Sequence, residues 1–120
     1  MPKAALLLYD PAPSPWASKV RQLCAIQGLR FSAVDTAQLD RPIRDLAQGL
    51  PAPGSAGEPL PEPLLLLCHL SSPQLDKVLQ GLRNAGVPRT CLKAILTPTN
   101  AGWTLRALYD ELCLEREQLS

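Results

Sequence analysis

The chain has a single histidine, five aromatic side chains and almost no excess of either charge, and each shortage removes a class of function. One imidazole excludes any multi-histidine metal centre. Twelve Lys and Arg against eleven Asp and Glu leave a net charge of +1, which removes the sequence-independent attraction to phosphate on which most nucleic-acid binders rely. No run approaches the ~20 apolar residues of a membrane helix. The N-terminal apolar stretch, Ala4 to Tyr9, ends at a proline-rich turn rather than at a small-residue cleavage site, so it reads as a strand and not as a signal peptide. Neither a nucleic-acid nor a membrane partner is expected.

Other motifs are missing as well. Cys24, Cys68, Cys91 and Cys113 form no C-x-x-C pair, so no zinc knuckle or thioredoxin-type motif is implied. Each lies in or beside an apolar segment, where a free thiol behaves as a small hydrophobe, and a reducing cytoplasm is the expected compartment. There is no G-x-x-x-x-G-K-[ST] loop and no G-x-G-x-x-G fingerprint. No metal or cofactor is expected.

What is present is a globular pattern. Hydrophobic residues make up 46% of the 120 and charged ones 19%, enough for one domain that buries roughly two-thirds of the surface exposed by its unfolded chain. Short apolar runs alternate with helix-period segments. Ala4 to Tyr9 and Leu64 to Cys68 are continuously apolar, as strands covered on both faces are. Phe31 to Val34 and Leu92 to Leu96 read as two further strands. After the first strand, Ser14 is placed to cap a helix opening at Pro15, with Trp16, Val20, Leu23 and Cys24 on one face and Gly28 as its stop. A weaker helix follows from Asp40 or Pro42 to Gly49. Ser71-Ser72-Pro73 opens a third helix with an apolar stripe of Leu75, Val78, Leu79 and Leu82, ended by Gly86 and Pro88. Thr104 is placed to cap a fourth, with Leu105, Leu108, Tyr109 and Leu112 on one face.

The order β-α-β-α-β-α-β-α predicts an α/β domain: an open, doubly wound, mostly parallel four-stranded sheet of order 2-1-3-4 flanked by helices, with neighbouring strands parallel. Residues 51–63, with five prolines and two glycines, cannot form a helix or inner strand and are expected as a mobile surface loop within this domain.

Ligands of such sheets bind beyond the carboxyl ends of the strands. Tyr9-Asp10, Cys68-His69 and Thr97-Pro98-Thr99-Asn100 are therefore expected to converge, with Ser14, Ser72 and Thr104 at helix starts facing the same edge. The ligand-binding candidates are Asp10, Ser14, His69, Ser72, Thr97, Thr99, Asn100, Trp103 and Thr104. Each also has a plain structural reading. An aspartate before proline begins a turn, Ser71 and Ser72 cap a helix, Asn100 makes a local turn, and Trp103 packs ahead of the Thr104 cap. A phosphorelay receiver shares the strand pattern, but its phosphoacceptor aspartate would stand where the third strand ends in Cys68-His69, so that reading is rejected.

The segment K-A-x-L-T-P-T-N-x-x-W-T-L from Lys93 to Leu105, together with S-x-x-Q-L-D-x-x-L from Ser71 to Leu79 and the turn Ala85-Gly86-Val87-Pro88, resembles a small bacterial family known only as a domain of unknown function. The resemblance supplies no catalytic residues; it implies a bacterial origin and the same fold, with residues 51–63 as a local insertion. Three functions stay open. The first is a non-catalytic module binding a protein or a small anionic ligand at the carboxyl edge. The second is an enzyme on a phosphorylated or acyl substrate, with His69 or Asp10 in acid–base roles. The third is a structural subunit pairing with a second copy of the chain.

Overall fold

The computed structural model describes residues 4–11, 14–48, 58–88 and 91–119. Four strands, β1 (Ala5–Tyr9), β2 (Arg30–Val34), β3 (Leu64–Cys68) and β4 (Leu92–Ile95), form one sheet of order β2-β1-β3-β4. Four helices accompany them: α1 (Ala17–Gln27), α2 (Ile43–Gln48), α3 (Ser72–Asn84) and α4 (Leu105–Leu119). A 3-10 turn at Thr36–Gln38, which the apolar spacing does not signal, precedes α2.

The two most apolar strands occupy the centre, and every residue of β1 and β3 is buried. Alternation along them divides the core in two. Leu6, Leu8, Leu65 and Leu67 face α1 and α3, where they meet Val20, Cys24, Val78 and Leu82. Ala5, Leu7, Tyr9, Leu64, Leu66 and Cys68 face α2 and α4, where they meet Ile43, Leu46, Leu105, Leu108 and Tyr109. Burying each large aliphatic side chain contributes about 1.5–3 kcal/mol, so the two central strands anchor both helical layers. Gly81 makes room for the Leu23 side chain of α1 against α3, since a Cβ there would lie 2.5 Å from Leu23 Cδ1.

The sheet order and its mostly parallel character agree with the sequence expectation; the direction of the central pair does not. β2 runs parallel to β1, and β4 parallel to β3, but β3 is antiparallel to β1, with Ala5 opposite Cys68 and Tyr9 opposite Leu64. The reason lies in the connection from β2 to β3. From the end of β2 the chain crosses the α2 face and reaches the start of β2, where the Arg30 guanidinium donates to the Ala47 carbonyl. It then recrosses that face. Glu58 O accepts from Arg106 at the start of α4 (2.8 Å), Leu60 lies against Tyr9, and Glu62 meets Tyr109 and Arg116 further along α4. A chain that crosses a face twice re-enters the sheet at the edge it left, and so runs antiparallel.

Most of the expected loop, 51–57, lies outside the described residues; its remainder is anchored. Leu60 is 5% exposed. The Tyr9 hydroxyl accepts the Leu60 N–H (2.9 Å) and donates to the Leu60 carbonyl (3.2 Å). Tyr9 thus satisfies both backbone groups of one buried residue with a single oxygen. Tyr9→Phe is expected to destabilise the fold by about 1–3 kcal/mol, because a buried N–H and C=O lose their partner. Urea unfolding measures this, and an unchanged midpoint would contradict the role given to the hydroxyl.

Candidate functional site

The antiparallel centre divides the expected site. Tyr9-Asp10 and the end of β2 lie at one edge of the sheet with the starts of β3 and β4; His69 and the turn after β4 lie at the other. Five strand residues at ~3.3 Å each hold Asp10 and His69 roughly 15–20 Å apart. The candidates therefore form two groups, Asp10 with Ser14, and His69 with Ser72, Thr97, Thr99, Asn100, Trp103 and Thr104.

At the first edge, Asp10 Oδ2 accepts the Ser14 N–H (2.8 Å) and Oδ1 accepts the Ser14 hydroxyl (2.9 Å). Both carboxylate oxygens are engaged in shaping the turn into α1. The expected Ser14 cap does not form: the helix starts later, after Trp16, and Ser14 donates its hydroxyl to Asp10. At its other end α1 stops at Gly28 in the left-handed region (φ 72°), as its sequence indicates.

At the opposite edge the T-P-T-N segment has a clear structural task. Thr97 Oγ1 accepts the Asn100 N–H (3.1 Å), while Asn100 Oδ1 accepts the Thr97 N–H (2.9 Å) and its Nδ2 donates to the Ile95 carbonyl (3.0 Å). The Leu96 N–H points inward to Leu67 O (2.8 Å), so Ile95 O and Thr97 N–H point outward from the sheet. The Asn100 carboxamide stands in for a neighbouring strand at the free side of β4, and the residue is only 7% exposed. Thr99 is exposed. Trp103, at 36% exposed, contributes through its backbone: its carbonyl and that of Ala101 accept the Ile43 and Arg44 N–H groups at the start of α2 (2.8 and 3.0 Å). Thr104 Oγ1 accepts the Ala107 N–H (3.1 Å), as a cap should.

The third helix opens at its expected serines, with the cap at the first of them. Ser71 caps α3, exchanging bonds with Gln74 in a capping box, and Ser72 is the first helical residue. His69 is exposed and adopts φ 59°, a conformation in which histidine is commoner than most residues. No described residue bonds to its ring. Among the described residues no three His, Cys, Asp or Glu side chains gather to hold a metal.

The cysteines fit a core and not a reactive site. Cys24, Cys68 and Cys91 are buried thiols. Burial pushes Cys24 and Cys68 up to about 11 from an ordinary 9.0, with the Arg30 charge opposing it slightly at Cys68, and it raises Cys91 too. Such thiols stay protonated at neutral pH and are poor nucleophiles.

Three surface features lie outside the sequence reading. A groove of about 780 Å³ runs between α1 and α3, lined in part by Lys19, Gln22, Leu23, Lys77 and Gln80 and carrying Ile26, which is 83% exposed. Ile26 lies off the apolar stripe of α1, a signal legible in the sequence. A second cavity of about 530 Å³ opens between α1 and β2. In it the Arg21 guanidinium lies 5.1 Å from the Phe31 ring centroid, a pairing made only by helix–strand packing. Finally, Glu62 accepts from Tyr109 (3.0 Å) and from both Arg116 nitrogens (3.1 and 2.9 Å). The Arg116 bond holds the Glu62 carboxyl below its usual range.

Three outcomes are expected. Asn100→Asp keeps the acceptor for Thr97 but loses the donor to Ile95, so it should cost about 1–3 kcal/mol in urea unfolding; an unchanged midpoint would remove the edge-closing role. Iodoacetamide at pH 8 should label half-buried Cys113 well ahead of the other three cysteines, as mass spectrometry reads directly. The folded state retains thiol protons that the unfolded chain releases above about pH 9. Stability should therefore fall between about pH 9 and 11, and a rise across that window would contradict the burial of these thiols.

Comparison with known proteins bears on the second half of the chain. No curated protein and no solved structure gave a match. Residues 63–119, from the residue before β3 through α4, match the family model described as Domain of unknown function (DUF3783), which bears out the resemblance to a domain of unknown function.

Proposed function

We propose that the chain is a non-catalytic interaction module that binds another protein. The observation that supports this most is the fate of the polar candidates. The antiparallel β1–β3 pair holds Asp10 and His69 at opposite edges, and Asp10, Asn100, Thr97 and Thr104 spend their hydrogen bonds on the chain's own turns and caps. General acid–base chemistry needs such groups within reach of one substrate. Binding needs only a shaped surface, and the two openings beside α1 offer apolar and polar groups together. The unpaired buried thiols support a reducing compartment such as the cytoplasm for this module.

Two measurements on the full chain test the reading. Titration with phosphate, citrate and a nucleotide should leave the amide resonances of Asp10, His69, Ser72 and Asn100 in place, whereas selection from a random peptide display library should return binders with micromolar affinity. A saturable shift at Asp10 or His69 on adding an anion would favour a small-ligand site instead, and a selection that yields no binder would overturn the module reading.

A further inference from the structure

The two borders of the sheet are finished differently. In β2, the Arg30 N–H donates to Ala4 O across the β1 side (3.1 Å). Backbone groups along a strand alternate in direction, so Ser32 and Val34 also face β1, while Phe31 and Ala33 turn their N–H and C=O to the other side. No strand lies there, since β2 ends the sheet, and among the described residues no loop backbone bonds to Phe31 or Ala33. The border strand β4 differs at its end, where Ile95 O and Thr97 N–H are taken by the Asn100 carboxamide, while its Lys93 backbone groups and the Ile95 N–H still face outward. An open border row is a template for another extended chain, which folded proteins generally blunt or cover.

The open row adjoins the cavity of about 530 Å³ between β2 and α1, whose lining includes Leu8, Asp10, Ala17, Arg21, Phe31 and Ala33. In an added strand alternate side chains point to the same face, so every second residue would project towards α1 and into this cavity. The apolar part, Leu8, Ala17, Phe31 and Ala33, suits an aliphatic group. The charged part is asymmetric. Asp10 has both oxygens bonded to Ser14, whereas Arg21 lies over the Phe31 ring and makes no ion pair among the described residues. Asp10 keeps its charge but its oxygens are already in use as acceptors, so the group left to bond a partner side chain is the Arg21 guanidinium, whose N–H donors meet no protein acceptor among the described residues.

We propose that β2 accepts an extended peptide segment of a partner protein as a fifth strand, with an acidic side chain beside Arg21 and an aliphatic one two residues away in the α1–β2 cavity. This rests on the interaction-module reading and gives it a site and a ligand class. Main-chain bonds to Phe31 and Ala33 would hold the peptide, and the cavity would select its alternate side chains.

A suitable probe is a blocked heptapeptide of threonines with valine second and sixth and glutamate fourth, which presents the same pattern in either direction, alongside counterparts with glutamine or lysine at the centre. Titrated into the full chain, the glutamate peptide should shift the amides of residues 17–21 and 30–34 and bind at least roughly tenfold tighter than the lysine peptide, a preference that weakens with added salt. Arg21→Glu, on the exposed side of a helix, should reverse that order. Ala33→Pro should abolish binding by all three, since it removes an outward N–H while sparing the β1–β2 ladder. No binding by any of the peptides, or no preference among them, would overturn the proposal. Shifts confined to the α1–α3 groove would overturn this site while sparing the module reading.

Discussion

The antiparallel ladder between β1 and β3 is the contact from which the rest of the molecule takes its arrangement. Five residues of each strand are paired, and all ten are buried. Because their side chains alternate, this one pair supplies the floor of both helical layers, Leu6, Leu8, Leu65 and Leu67 on one side and Leu7, Tyr9, Leu64 and Leu66 on the other. A one-residue slip would exchange the two sets. The pair also decides where each strand ends, and therefore which turns share an edge.

The antiparallel direction depends on a connection that crosses the α2 face twice, and the return is secured at several points. Leu60 is bonded through both backbone groups to Tyr9, Glu58 and Asp40 are held by Arg106, and Glu62 is held by Tyr109 and Arg116. The exposed ion pairs are individually weak. The buried Tyr9 hydroxyl counts for more, since Leu60 is buried away from solvent. Prolines 59, 61 and 63 suit this extended return, where no ladder donor is required of them.

The same economy explains the turn after β4. Its threonines and asparagine look like a recognition loop in the sequence, yet Asn100 covers the outward groups at the end of β4, and the carbonyls of Ala101 and Trp103 complete the start of α2. A helix of six residues has little intrinsic stability, so its N–H groups need such partners. Polar residues at the ends of strands thus serve the fold first, and the proposed binding falls instead to the openings beside α1.

Much of this was legible in the residues. Continuous apolar runs at Ala4–Tyr9 and Leu64–Cys68 identify the central strands, helical spacing identifies α1, α3 and α4, and Gly28 and Thr104 mark boundaries that the structure keeps. These are local consequences of side-chain periodicity and backbone preference. The direction of β3 was not legible, because a strand buried on both faces reads the same in a parallel or an antiparallel pair. Only the contacts of residues 58–63 with Tyr9, Arg106 and α4 fix it. The candidate site shared that uncertainty: Asp10, His69 and Asn100 were correctly placed at strand ends, but which ends meet is a property of the assembled sheet. The sequence by itself determined the elements and the order of the core. Tertiary structure decided that the polar ends lie apart, that Asn100 covers the end of a strand left at the border of the sheet, and that Arg21 stands over Phe31 beside the other border, because each depends on how strands and helices distant along the chain are assembled.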